Sequence, residues 1–204
     1  MARSLYIAGS GSFAAEIAEW AADSGVEIAG LIESRDPRRV GSMIHGFPVV
    51  ALEPPSPGAA AILALGGDRH DNWRPFADAG WTAGGVIHPT AHVAHSARVS
   101  PSATIGPLAV VGAGAEIGDQ AILSRGSLVG HHARIGEFVS LNPGVNVGAN
   151  SEVAAAAYLG MGCVIVSGIS IGTGSTVAAG AVTVRDVPAE ARVQGVPARP
   201  FSRE

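Results

Sequence analysis

From Ile87 onward a large aliphatic residue recurs at every sixth position, through Val93, Val99 and Ile105 to Ile165, Ile171 and Val177, without one insertion. A small residue lies four positions after most of these aliphatics, as at Ala91, Ala97, Ala103, Ala109 and Ser127. A period of six fits neither the 3.6 of a helix nor the alternation of a long strand. It predicts a short strand and a turn, repeated, with one aliphatic always facing inward. Three such hexads close a triangular coil, so residues eighteen apart should stack. Val111, Val129, Val147 and Ile165 are then one internal column. With stacked strands about 4.8 Å apart, nearly six coils make a prism about 27 Å long. The residue just after the aliphatic is often Gly, as at Gly106, Gly112, Gly118 and Gly130, with Asn142 at one turn. Those glycines are expected to supply turn angles that a Cβ would obstruct, Asn being the best substitute.

Ahead of the repeat the pattern changes. Ser4–Ala8 reads as a buried strand, followed by Gly9, Ser10, Gly11 and a helix with Ile17, Trp20 and Ala21 on one face. Val26–Ile32, Pro48–Leu52 and Ala61–Leu65 read as further strands, and Asp71 to Ala79 as a second helix. Strands alternating with helices predict a small parallel α/β domain, Rossmann-like in kind. The expected organisation is an α/β domain over 1–84, a β-helix over 85–184 and a tail over 185–204. Pro54 to Gly58 is an exposed loop.

Composition narrows the function. Hydrophobic residues are 47% of the 204 and charged residues 15%, which excludes a disordered chain. Net charge is −4, so the basic footprint of a nucleic-acid binder is missing. All 13 basic residues are Arg; with no Lys there is no Schiff base, Walker lysine or lysine general base. Cys163 is the one cysteine, which rules out an internal disulfide and fits a reducing compartment. The apolar run Leu5–Ala8 is too short for a signal peptide. No charged residue lies between Glu152 and Arg185, yet the regular Gly, Ser and Thr spacing there belongs to the repeat, not to a spanning helix. A soluble, cytoplasmic protein is expected, with neither nucleic acid nor membrane as partner.

Two regions could carry chemistry. Gly9, Gly11 and Ala14, with the acidic Glu33 and Asp36 about twenty positions later, mimic a dinucleotide fingerprint. A domain of this size holds half of a doubly wound fold, so the better reading is a mononucleotide or phosphate pocket at the first helix N-terminus; a purely structural tight turn is the alternative. Gly9, Gly11, Ser12, Phe13, Glu33, Asp36 and Asp68 are the candidate substrate-binding residues there. In the repeat, His131 sits two positions after Val129, at a turn, so its side chain leaves the prism. A zinc site of the γ-carbonic anhydrase type needs a His pair five residues apart, and nothing follows His131 and His132 at that spacing, so no metal is expected.

The unbroken hexads resemble the left-handed parallel β-helix of the hexapeptide-repeat acyltransferases. The α/β domain, Ile87-His88-Pro89, the segment Ile122 to His131 with Ile135-Gly136-Glu137-Phe138, and the ending Gly195-Val196-Pro197-Ala198-Arg199 together resemble one family within it. That family is the sialic acid O-acetyltransferase (NeuD-type) group, which includes N-acetyltransferases for nucleotide-linked amino sugars. The resemblance implies acetyl-CoA as co-substrate, a small-molecule sugar acceptor, and a homotrimer. It implies that His131 is the general base, a role that suits an imidazole near pH 7. The next residue in that family is usually Asp or Glu, which orients and charges the imidazole; here it is His132, which departs from the pattern and is the second candidate catalytic residue. Ser124 and Ser140 replace residues that are often Asn and His, and Ser12-Phe13-Ala14 replaces a Gly-His-Gly. The resemblance sets Ala149, Met161, Ala179 and Arg199 against coenzyme A, the first three through backbone contacts. The expected reaction is direct acetyl transfer to a sugar amine without an acyl-enzyme, Cys163 lying at an interior position of the repeat. O-acetylation of sialic acid or another sugar is the nearest alternative, and a non-catalytic trimeric sugar-nucleotide binder is the alternative outside enzymes.

Overall fold

The computed structural model describes residues 4–201 and divides into two compact units, Met1–Pro89 and Thr90–Glu204. In the first, five parallel strands lie in the order β4(Phe47–Ala51), β2(Ile28–Glu33), β1(Leu5–Ala8), β5(Ala60–Leu63), β6(Thr82–Ala83), with β3(Met43–Ile44) antiparallel on the edge beside β4. Chain order therefore runs outward from β1 in both directions, the arrangement that opens a crevice at the carboxyl ends of the central strands. Ile7, Leu31, Ile32 and Ile62 in those strands are fully buried, as a parallel sheet covered on its faces requires.

Helix α1(Ser12–Asp23) buries Ala14, Ile17, Ala18, Trp20 and Ala21, the stripe expected from their spacing. Helix α2(Arg69–Asp78) buries Trp73 and Phe76, whose rings stack at 5.6 Å. Asp68 caps α2 by accepting the Asp71 amide at 2.9 Å. His88 is buried, and its Nε2 lies 3.0 Å from Asp23 Oδ2 at the end of α1. The strands β3 and β6 have two residues each, too few to show a period in sequence.

The second unit is a β-solenoid of parallel sheets. Its strands are two residues long and pair eighteen residues apart, as Val110↔Leu128 and Val111↔Val129 do, then Val129↔Val147 and Val147↔Ile165. The internal column is thus the expected one. One of its sheets stacks six strands, from His92–Val93 to Val182–Thr183. Ile105, Val111, Leu123, Leu141, Leu159 and Val177 are fully buried, with Ala109, Ala115, Ala121 and Cys163 filling the corners. Two ends of the pattern differ from expectation. Ile87 is 44% exposed, and Val93 and Val99 are half-buried because an end coil has a neighbour on one side alone. At the other end Ile171 bridges Val187 and Thr176 pairs with Arg192, sixteen residues on, and Thr183 takes the inward position with its hydroxyl buried and unpartnered.

The reason for the glycines also needs correcting. Gly106, Gly112, Gly118 and Gly130 do not carry positive φ, and neither does Asn142. A Cβ on Gly118 would stand 2.8 Å from the Glu137 amide, and one on Gly130 would stand 2.5 Å from the Ala149 amide. Gly112, Gly118 and Gly130 are needed because consecutive coils approach too closely for a side chain. Asn142 fits by turning its amide onto the Leu159 carbonyl at 2.8 Å. The left-handed residues lie two positions further on and recur every six: Leu108, Gly114, Gln120, Gly126, His132, Phe138 and onward to Gly180. Among the described residues no helix is long and apolar enough to cross a membrane.

Candidate active site

His131 and His132 occupy the corner between the strands Leu128–Val129 and Arg134–Ile135, and both are exposed. The solenoid fixes this corner through its backbone. The His132 amide donates to the Ala113 carbonyl of the preceding coil at 2.9 Å, and the His131 carbonyl accepts the Asn150 amide of the next coil at 3.0 Å. His132 is one of the periodic left-handed residues, with φ 57°. The two rings meet edge to face with centroids 5.3 Å apart, and their Nδ1 atoms are 3.1 Å from each other. Neither ring pairs with a carboxylate among the described residues. The three acids nearest in sequence are directed elsewhere. Glu116 pairs with Arg98 and lies 4.0 Å from Arg134, Asp119 accepts from Ser100 and Ser102, and Glu137 makes no such contact.

Ser124 is buried at the neighbouring corner, where its carbonyl accepts the Ser127 hydroxyl at 2.5 Å. Ala149 lies one coil above His131 on the same edge, while Met161 and Ala179 stack on another. The carbonyls of Ala149 and Met161 accept the Gly168 and Gly180 amides, each at 2.9 Å. The amides of Ala149, Met161 and Ala179 donate to no other described residue. Met161 is 60% exposed; Arg199 is exposed on a short strand antiparallel to Arg192–Gln194. Cys163 is enclosed in the core and burial pushes its thiol up to about 12, so it supplies no thiolate.

In the α/β unit, Gly9 carries φ 124° at the end of β1, where a Cβ would stand 2.9 Å from Leu65 Cδ2 and 3.1 Å from the Ala64 carbonyl oxygen. Gly11 is the N-cap of α1 with open space beside it, and Ser12 and Phe13 form the first turn. Glu33, at the end of β2, accepts the Ser10 hydroxyl on one oxygen and the Arg35 and Asp36 amides, at 2.6 and 3.0 Å, on the other. Burial works to raise its carboxyl, but those three hydrogen bonds and the nearby Arg39 outweigh it and hold Glu33 below the usual range. Asp36 is likewise held low, chiefly by its hydrogen bond from Arg38. The sequence reading missed Arg39, which donates to the Ser10 carbonyl at 3.2 Å and hydroxyl at 3.1 Å. Asp68, the remaining candidate in this unit, is the N-cap of α2. Gly9 and Gly11, with Ser12, Phe13, Glu33 and Asp36, do come together at the carboxyl ends of β1 and β2.

Comparison with known proteins was made on the sequence and on the fold. No family model matches the chain, and no curated protein matches it. Among solved structures, the acetyltransferase domain of PglB from Neisseria gonorrhoeae, in complex with acetyl coenzyme A, is 30% identical with a TM-score of 0.87, over 98% of this chain and 100% of that one. A histidine-to-alanine variant of GDP-perosamine N-acetyltransferase from Caulobacter crescentus, in complex with CoA and GDP-perosamine, is 28% identical with a TM-score of 0.89, over 100% and 99%. WeeI from Acinetobacter baumannii shares the fold at 22% identity and a TM-score of 0.87. These likenesses match the solenoid to a left-handed β-helix and run through both units.

Proposed function

We propose a function from one premise: the chain belongs to the family of hexapeptide-repeat sugar acetyltransferases that includes the PglB acetyltransferase domain. It is an acetyl-CoA-dependent acyltransferase acting on a sugar. The finer reading is N-acetylation of a nucleotide-linked amino sugar, in a cytoplasmic homotrimer. Near-full-length likeness to an acetyl-CoA complex and to a complex with GDP-perosamine is the observation that carries it. The first unit is Rossmann-like on this reading, a view supported by the outward strand order from β1 and by the Gly9–Phe13 turn. The nucleotide sits there, its phosphates toward Gly11, Ser12 and Phe13. The amides of Ala149, Met161 and Ala179, which have no acceptor among the described residues, suit the pantetheine arm of coenzyme A, and Arg199 its phosphates.

His131 is the general base. The neutral imidazole takes a proton from the acceptor amine as its nitrogen attacks the thioester carbonyl. The C–S bond then breaks, and the CoA thiolate receives the proton back. The enclosed Cys163 supports this direct route over an acyl-enzyme.

Thiol release should be measured with acetyl-CoA and a panel of nucleotide-linked amino sugars and free sialic acid. Release with an amino sugar nucleotide is expected; release with sialic acid alone would move the reaction to O-acetylation, and none at all would leave a binding protein. His131→Ala should lower kcat/KM by about 10²–10⁴-fold, the usual worth of a positioned base, with KM little changed. Undiminished turnover in that variant would remove His131 from the role.

A further inference from the structure

The geometry points to His132 as the positioning residue of the pair: a neutral hydrogen-bond acceptor that fixes the His131 tautomer where a carboxylate is missing. This rests on His131 being the base. With the two Nδ1 atoms 3.1 Å apart, one nitrogen must donate and the other accept. If His131 carries Nδ1–H and donates it, its Nε2 keeps a lone pair free for the incoming proton, and His132 is the Nε2–H tautomer. The opposite arrangement puts the His131 proton on Nε2 and leaves it no free lone pair there to act as base. Which nitrogen is protonated in an imidazole is set by the partner of the other nitrogen, so the His132 acceptor decides whether His131 is ready. When His131 takes the amine proton, its Nδ1–H···Nδ1 bond becomes charge-assisted and strengthens at that moment.

Two features of the chain hold His132 in place. Its left-handed backbone, φ 57°, is forced by the six-residue period. Its ring lies over Gly114, one coil earlier, where a Cβ would stand 2.8 Å from Cδ2 and 2.9 Å from Nε2. Gly114 is itself tied down by donating to Ser96 Oγ at 3.1 Å. The missing side chain at Gly114 is therefore the seat of the His132 ring. The titratable and charged groups around the pair are His95, two coils earlier on the same corner, and Arg134, Glu116, Arg98 and Glu152 on the adjoining face; Asn150 stands above on the next coil. None of the acids reaches either ring, so the acceptor has no permanent charge.

The chain supplies its own controls for substitution. Asn150 and Ala156 hold the same left-handed turn position with φ 57°, so Asn and Ala at 132 leave the coil intact. His132→Ala, which removes the acceptor, should lower kcat on the order of tenfold or more with KM nearly unchanged. His132→Asn, which returns an acceptor oxygen, should recover most of it. His132→Asp adds a charge that favours the imidazolium, so the acid limb of the kcat/KM profile should move up by about one pH unit. Nitrogen-15 spectra of the histidines, recorded without substrate, give the tautomers directly. His131 should show a protonated Nδ1 and a bare Nε2 in the wild type, and a mixture in His132→Ala. A wild-type His131 protonated on Nε2, or a His132→Ala variant with unchanged tautomer and kcat, would overturn the proposal. Loss of the base assignment reads differently: there His131→Ala stays active, whatever the spectra show.

Discussion

Glu33 illustrates how much a single carboxylate can be asked to do. Its two oxygens gather the Ser10 hydroxyl and two successive amides, which binds the end of β2 to the turn after β1. The folded protein holds this carboxyl below its ordinary value of 4.5. The stabilisation is then present above that value and is lost as pH falls through the lower, folded one. Wild type should therefore weaken more steeply than Glu33→Gln between about pH 6 and pH 3 in urea unfolding. At neutral pH the substitution should cost about 1 kcal/mol or less, because the site is largely open to solvent. Parallel pH dependence of the two proteins would show that the carboxylate is not the fastening. Through Ser10 the same carboxylate also shapes the turn that leads into α1.

At the scale of the coil, two kinds of glycine alternate for different physical reasons. Gly118 has ordinary backbone angles but lies against the Glu137 amide, the Gly136 carbonyl carbon and the Ile135 carbonyl oxygen, all backbone that cannot move aside. Gly126 has φ 65° and nothing within 4 Å of a new Cβ. Gly118→Ala should thus force coils apart and cost about 1–3 kcal/mol, as overpacking does. Gly126→Asn should stay within about 0.5 kcal/mol of wild type, since Asn accepts left-handed angles and meets no neighbour. Thermal unfolding of the two variants separates close approach from conformational freedom. Equal losses would mean that the turn angles, not the coil spacing, govern both positions.

Across the whole solenoid the faces differ in character. One presents Arg98, Glu116, Arg134 and Glu152 in a ladder of alternating charge, a solvated surface whose exposed pairs contribute little. A shallow concavity of about 630 Å³ lies over that ladder. Another presents Val110, Leu128, Asn146, Val164 and Val182 in one column, four aliphatics around one exposed Asn, with Leu128 40% exposed. Aliphatics aligned on a flat surface favour burial against another copy, and closed cyclic symmetry lets every copy bury the same residues. Light scattering at micromolar concentration should give a trimer for the wild type, and Leu128→Glu should shift it toward monomer with loss of acetyl transfer. A monomeric wild type would refute the assembly.

The six-residue period is written one residue at a time, so the sequence alone determined the solenoid, its eighteen-residue register and the buried column from Ile105 to Val177. The four longer strands and the two helices of the first unit were legible for the same reason, the observed strand ends lying within about two residues of the expected ones, while the two-residue β3 and β6 were not. The exposed turn position of His131 followed from its phase relative to Val129. What no local pattern could state is what stands beside a residue after coiling. The tertiary structure decided that Gly118 and Gly130 answer to the next coil, that Gly114 seats the His132 ring, and that Glu116, Asp119 and Glu137 leave the histidines without a carboxylate. Those neighbours are about eighteen residues away in the chain or on another face, and their contacts form once backbone hydrogen bonds have fixed the stacking of the coils.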